Sequence, residues 1–145
     1  MDLIERIITA ITQTHPIHPM MVHFPIALSG AAFLFALIAM IRKDETYDKI
    51  AYANMVLTVL GTIAAGITGM YDNQLNYQGD APNSGAKLVL AVILLVVSLA
   101  TVIARRRNPE LFQSTGRWLY FGGYVVSFGL ALVLAFLGGV ILYGF

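Results

Sequence analysis

The sequence has no cysteine and few charges. Without cysteine the chain cannot form disulfides, cysteine-ligated zinc sites, iron–sulfur clusters, thiolate nucleophiles or covalent c-type haem attachments. Only 12% of its 145 residues are charged and 58% are hydrophobic, whereas an ordinary soluble domain carries roughly 25% charged residues. The net charge of +1 gives no indication of a nucleic acid partner. The composition therefore argues against a cytosolic globular protein.

The apolar residues are gathered in four long runs. They predict membrane-spanning helices over about residues 19–41, 50–70, 87–104 and 118–143, because a helix needs roughly 20 apolar residues to cross a bilayer. Each run is hydrophobic on all sides, unlike the helices of a soluble bundle. Since the connecting segments are short, we expect an all-α, antiparallel bundle of four transmembrane helices in a single domain over residues 15–145.

The positive charges predict the orientation of this bundle. Seven of the nine basic residues flank one side of the predicted membrane domain, namely Arg42, Lys43, Lys49, Arg105, Arg106, Arg107 and Arg117. By the positive-inside rule that side is cytoplasmic. Both termini are then expected outside, on the periplasmic side of a bacterial cytoplasmic (inner) membrane. The lipid bilayer is the first partner that the sequence predicts for this multi-pass protein.

Residues 1–14 predict a short amphipathic helix ahead of the membrane domain. Its apolar residues recur at helical spacing between polar ones, which favours a position in the outer membrane interface; they are Leu3, Ile4, Ile7, Ile8 and Ile11. The helix could serve as a surface anchor or as a docking helix for a partner subunit, and the pattern leaves both interpretations open.

Small residues predict where the membrane helices pack. In lipid, helices attract each other mainly through close backbone approach, which small side chains permit. The second span offers Gly61, Ala65 and Gly69 in one register. The fourth offers a longer seam at every fourth residue, consisting of Gly123, Ser127, Ala131, Ala135 and Gly139.

All three histidines lie within nine residues at the outer end of the first span. They are His15, His18 and His23, and neutral imidazole is a common ligand of metals and of haem iron. Pro19 suits the first turn of a helix. Pro25 lies deeper, where it removes a backbone hydrogen bond and favours a kink from which His23 would project.

These residues allow two kinds of site. His23, with His18 beside it, could hold b-type haem or border a quinone pocket, with Asp72 orienting an imidazole ring as a second-shell carboxylate does. Alternatively, imidazoles and soft thioethers could bind copper on the outer side; that set is His15, His18, His23, Met20 and Met21. A histidine that only hydrogen-bonds to a neighbouring helix is the structural alternative to both.

The segment from His18 to Leu28 resembles the opening motif HPxxVHFPIAL of a family of small bacterial membrane proteins catalogued as domain of unknown function 2231. Residues 66–72 and 137–144 are similar to two weaker motifs of that family. The sequence departs from the family near the start of the third span, where a frequent histidine is replaced within Ser84 to Leu88. The resemblance implies association with redox modules such as cytochrome c and Rieske-type domains.

Three functions follow from these patterns. The first is a non-catalytic accessory subunit that packs within a larger redox or energy-converting membrane complex. The second is a small electron-transfer module that binds haem b or a quinone through His23 and His18, and the third is the copper-binding protein. Apart from Lys87, the first residue of the third span, no carboxylate, lysine or arginine lies inside the predicted spans, which argues against a pump or proton relay. No arrangement of nucleophile and base indicates an enzyme.

Overall fold

The computed structural model describes residues 2–9 and 17–143, and for residues 141–143 the backbone alone. Within those ranges the chain forms five α-helices and one short 3-10 turn at Leu111–Gln113. The helices are α1 (Leu3–Thr9), α2 (Ile17–Arg42), α3 (Glu45–Tyr77), α4 (Ser84–Arg107) and α5 (Arg117–Tyr143). Helices α2 to α5 are each long and apolar enough to cross a membrane. The prediction of an all-α protein with four membrane-length helices is confirmed.

The four long helices are antiparallel neighbours in a closed ring, in which α2 contacts α3, α3 contacts α4, α4 contacts α5 and α5 returns to α2. Phe35, late in α2, stacks on Tyr47, early in α3. His18, at the start of α2, meets Thr68 near the end of α3. Up-and-down order is what short connections between neighbouring helices produce.

This order gives the bundle two chemically different ends. The histidine end comprises the starts of α2 and α4 and the ends of α3 and α5, and it carries His18. The arginine end comprises the opposite termini and carries the seven basic residues named above. Which end faces the cytoplasm stays a prediction from the distribution of charge.

Helix α3 continues well beyond the predicted span of 50–70. Its first turn is capped by the Asp44 carboxylate, which accepts a hydrogen bond from the Thr46 N–H at 2.8 Å; this bond lowers the pKa of Asp44. The helix ends where Gln78 adopts a left-handed conformation (φ 53°) and its N–H bonds to Asn73 O. The loop expected from Tyr71 is therefore helical up to Tyr77, because polar residues beyond the hydrocarbon can still complete helical turns.

The small residues of α3 lie against α2. A Cβ added at Gly61 would meet the Pro25 ring at 3.2 Å, and one added at Gly69 would meet His18 Cε1 at 2.7 Å. Ala65, between them, is buried. Close packing of α3 against α2 therefore requires that Gly61 and Gly69 have no side chains.

The small residues of α5 follow the interior for only part of the helix. A Cβ added at Gly123 would lie 2.2 Å from Thr101 Oγ1 on α4. Ser127 and Ala131 are buried and Ala135 is half-buried. At Gly139 an added Cβ would meet no described atom within 4 Å. Tight contact along this seam thus runs from Gly123 to Ala131.

The short helix α1 begins at a local cap, in which Asp2 Oδ1 accepts a hydrogen bond from the Leu3 N–H at 2.7 Å. Its apolar side chains are all exposed, which is compatible with the predicted interfacial position; they are Leu3, Ile4, Ile7 and Ile8. Residues 10–14 of the predicted amphipathic helix lie outside the described residues.

Candidate functional site

The predicted histidine cluster is divided by the structure. His18 lies between α2 and α3, whereas His23 is exposed on the outward surface of α2. The two are five residues apart on a continuous helix, which turns them about 140° from each other. His15 lies outside the described residues, so its part in the predicted set is left open.

His18 is held against α3 in one orientation. Its Nδ1 lies 3.3 Å from Thr68 Oγ1, and that hydroxyl donates to the carbonyl of Ala64 at 2.9 Å. Because the hydroxyl proton is used in this way, His18 Nδ1–H is the donor to Thr68, and Nε2 keeps a free lone pair. The ring packs edge-on against Gly69, where no side chain intervenes.

Asp72 and Lys87 complete a polar group at this end. Both lie within electrostatic range of the His18 ring. Asn76 Nδ2 donates to Asp72 Oδ1 at 2.6 Å. Lys87, in the first turn of α4, is half-buried, and its ammonium makes no ion pair with any described carboxylate. We call His18, Thr68, Asp72 and Lys87 the polar cap.

His18 and Asp72 are site residues predicted from the sequence, whereas the roles of Lys87 and Thr68 emerge only from the structure. Lys87 stands out in retrospect because it lies at the histidine end, away from the seven basic residues of the arginine end. Thr68 carries no such signal, since threonines recur throughout the second span. Only the approach of α2 to α3 shows that its hydroxyl meets an imidazole.

His23 has a different environment. Its Nδ1 lies 2.5 Å from the carbonyl oxygen of Pro19, one turn earlier. Since a carbonyl only accepts, Nδ1–H donates and Nε2 again keeps its lone pair. The ring is exposed, as is Met20 on the same side of the helix, so these groups face away from the bundle.

The described ranges gather no three histidine, cysteine, aspartate or glutamate side chains at a spacing that would hold a metal ion. Of the two thioethers in the predicted copper set, Met20 is exposed with His23, whereas Met21 lines a groove between α2 and α3. The set is therefore spread over different faces of α2.

That groove is apolar and has a volume of about 310 Å³. It lies open on the outer side of the contact between α2 and α3, where Pro25 meets Gly61. Its lining consists of Met21, Phe24, Leu28, Leu57, Leu60, Gly61 and Ala64. Neither of the two described histidines, His18 and His23, is part of this lining.

The arginine end contains a second polar group that sequence analysis missed. Asp48 is buried and forms an ion pair with Arg105, whose Nη2 lies 2.8 Å from Asp48 Oδ2. Beside it the hydroxyls of Tyr120 and Tyr124 are 2.6 Å apart. Asp48 lies one turn after the start of α3 and precedes the span predicted over residues 50–70, so the hydropathy pattern gives no sign that it is buried.

The fold and this division of polar groups define a multi-pass helical membrane protein with ionisable side chains at both ends. Comparison with protein families agrees, since residues 14–145 match the family described as "Predicted membrane protein (DUF2231)". The chain belongs to this family, as its opening motif indicated, and it contacts a lipid bilayer. No curated protein gives a significant match. No solved structure does either.

Proposed function

We propose that the protein is a non-catalytic accessory subunit that packs laterally against other subunits of a redox or energy-converting complex. Its place is the bacterial cytoplasmic membrane, with the histidine end on the periplasmic side. The distribution of basic residues supports this orientation.

The observation that carries the proposal is the exposure of His23 on α2. Ionisable side chains within membrane helices almost always face a bundle interior or a cavity. His23 is the seventh residue of α2. At a rise of 1.5 Å per residue it lies about 9 Å along the helix from the first residue, and its ring faces outward. A neighbouring subunit that donates a hydrogen bond to Nε2 would give this imidazole the interior environment that the chain itself does not supply.

Two further features support a subunit role. The exposed apolar side of α1 is suited to lie on the membrane or against a partner. The link to redox machinery comes from the family resemblance, which implies association with cytochrome c and Rieske-type modules.

The test is isolation of the tagged protein from its source cells in a mild detergent. We expect co-migration with a larger complex on a native gel. His23→Leu should release the protein from that complex, whereas His23→Gln, which keeps hydrogen-bonding capacity, should retain it at least in part. A small, monodisperse species without partners would contradict the proposal.

A second candidate function is haem b binding, and one observation favours it. The Nδ1–H of His23 is fixed by the Pro19 carbonyl, an arrangement typical of imidazoles whose Nε2 ligates a metal. A haem protein would show a Soret band that is lost in His23→Ala. A protein that is inserted in the membrane but shows no haem absorbance would rule this function out.

A further inference from the structure

The groove and the polar cap lie on one continuous path along the bundle surface. On α3, Ala64 lines the groove, and Thr68 and Asp72 follow at intervals of four residues, which places the three on one side of the helix. On α2, Met21 lines the groove and His18 lies one turn closer to the histidine end. The surface therefore changes from apolar to polar over about 12 Å, the rise of eight helical residues.

The polar cap has defined hydrogen-bonding roles. His18 Nε2 is an acceptor because His18 donates through Nδ1 to Thr68. The Asp72 carboxylate is an acceptor as well, and its Oδ1 already accepts from Asn76 Nδ2. Lys87 contributes three N–H donors and a positive charge; Asp72 attracts it electrostatically, but no described carboxylate is within ion-pair distance of it. A half-buried ammonium near a membrane surface favours a negatively charged partner.

We propose that the groove and the polar cap together bind one phospholipid of the phosphatidylglycerol class. One acyl chain lies in the groove between α2 and α3. The phosphate pairs with Lys87, and the glycerol hydroxyls donate to His18 Nε2 and Asp72. This headgroup supplies an anion for Lys87 and hydroxyl donors for His18 Nε2 and Asp72, whereas a choline headgroup has no hydroxyl and a phosphatidic acid has no second glycerol.

The test is native mass spectrometry of the full chain in detergent containing equimolar phosphatidylglycerol, phosphatidic acid and phosphatidylcholine with identical acyl chains. We expect one phosphatidylglycerol to be retained, in preference to both other lipids. Equal retention of phosphatidic acid would overturn the role of the glycerol hydroxyls, and equal retention of all three lipids would overturn the site.

Two variants locate the binding. Lys87→Gln should lower the preference for phosphatidylglycerol over phosphatidylcholine by about tenfold, the effect of losing one charged hydrogen bond. Arg106→Gln at the arginine end is the matched control and should leave the preference unchanged. A loss of preference in Arg106→Gln with none in Lys87→Gln would place the lipid at the other end and overturn the proposal.

The groove is tested separately from the headgroup. Ala64→Leu fills the groove and should reduce retention of all lipids. Gly66→Leu is the control, because it introduces leucine where no atom lies within 4 Å of an added Cβ, and it should leave retention unchanged. Circular dichroism confirms that each variant is folded. Undiminished binding in folded Ala64→Leu would show that the groove does not hold the acyl chain.

The lipid would bind whether or not a partner covers His23, so this result is independent of co-migration with a complex.

Discussion

At the scale of single residues, the contact between α4 and α5 requires a residue without a side chain at position 123, where Gly123 stands. An added Cβ would lie 2.2 Å from Thr101 Oγ1 and 3.2 Å from Thr101 Cβ, and Thr101 is itself held by a hydrogen bond to the Val97 carbonyl at 2.8 Å. Gly123→Ala should therefore destabilise the bundle by about 1–3 kcal/mol through overpacking.

Gly122 provides the control for this substitution, because a Cβ at the adjacent position would meet nothing within 4 Å. Gly122→Ala should be neutral or slightly stabilising, since alanine is the better helix former. Reversible unfolding in mixed detergent measures both variants. Equal effects of the two substitutions would show that α4 and α5 do not approach as closely as described.

The buried pair of Asp48 and Arg105 gives a second prediction for single residues. The side chains of both are largely removed from solvent, at 1% and 11% exposure. Asp48→Asn removes the only described carboxylate in ion-pair contact with the guanidinium, so we expect a loss of about 3–5 kcal/mol of stability. The exposed Asp80→Asn is the control and should change little.

A double substitution separates the charge from the packing in this pair. Arg105→Gln combined with Asp48→Asn removes both charges and should recover part of the stability lost in Asp48→Asn alone. Additive losses in the same unfolding assay would mean that the two side chains act independently.

At the scale of elements, hydropathy was sufficient to find the four helices but not their ends. The span predicted over residues 50–70 marks the part of α3 with apolar residues, whereas the helix runs from Glu45 to Tyr77. Its ends depend on the Asp44 cap and on the left-handed Gln78, which are local backbone features and leave no trace in hydropathy.

The site was predictable only where a residue type was itself informative. His18, His23 and Asp72 were named from their chemistry, but their division between two faces depends on helix rotation and on Gly69 admitting the His18 ring. Lys87 and Arg105 sit at helix ends, where charged residues are ordinarily solvated. Their burial results from packing between helices that are distant in sequence, and the sequence alone does not show which helices pack together.

The orientation of these elements is directly testable because the chain has no cysteine. A single cysteine placed at Asp80, in the loop between α3 and α4, should react with a membrane-impermeant maleimide in intact spheroplasts. A cysteine placed at Glu110, in the loop between α4 and α5, should react only after permeabilisation, as the positive-inside rule requires. The reverse pattern of labelling would place the histidine end in the cytoplasm.

At the scale of the whole molecule, the interior is rich in hydroxyl groups between two charged ends. Within the described ranges the buried serine and threonine residues are Ser29, Thr58, Thr62, Ser98, Thr101 and Ser127. All but Ser127 donate to a carbonyl of their own helix. Such residues keep side chains small and satisfied at helix contacts, which is how a polar interior forms between membrane helices.

This arrangement predicts that the bundle does not conduct protons. A proton pathway needs hydroxyls or waters bonded to each other in series. The Tyr120 and Tyr124 hydroxyls bond to each other, but the buried serine and threonine hydroxyls other than Ser127 are engaged with their own backbone. The space between Asp48 and Tyr124 has no room for a water molecule. Liposomes containing the protein and a pH-sensitive dye should acidify no faster than empty ones under a valinomycin-driven potential, whereas gramicidin should collapse the gradient. Proton flux that is lost in Ser127→Ala would show instead that the unpaired Ser127 hydroxyl belongs to a hydrated pathway.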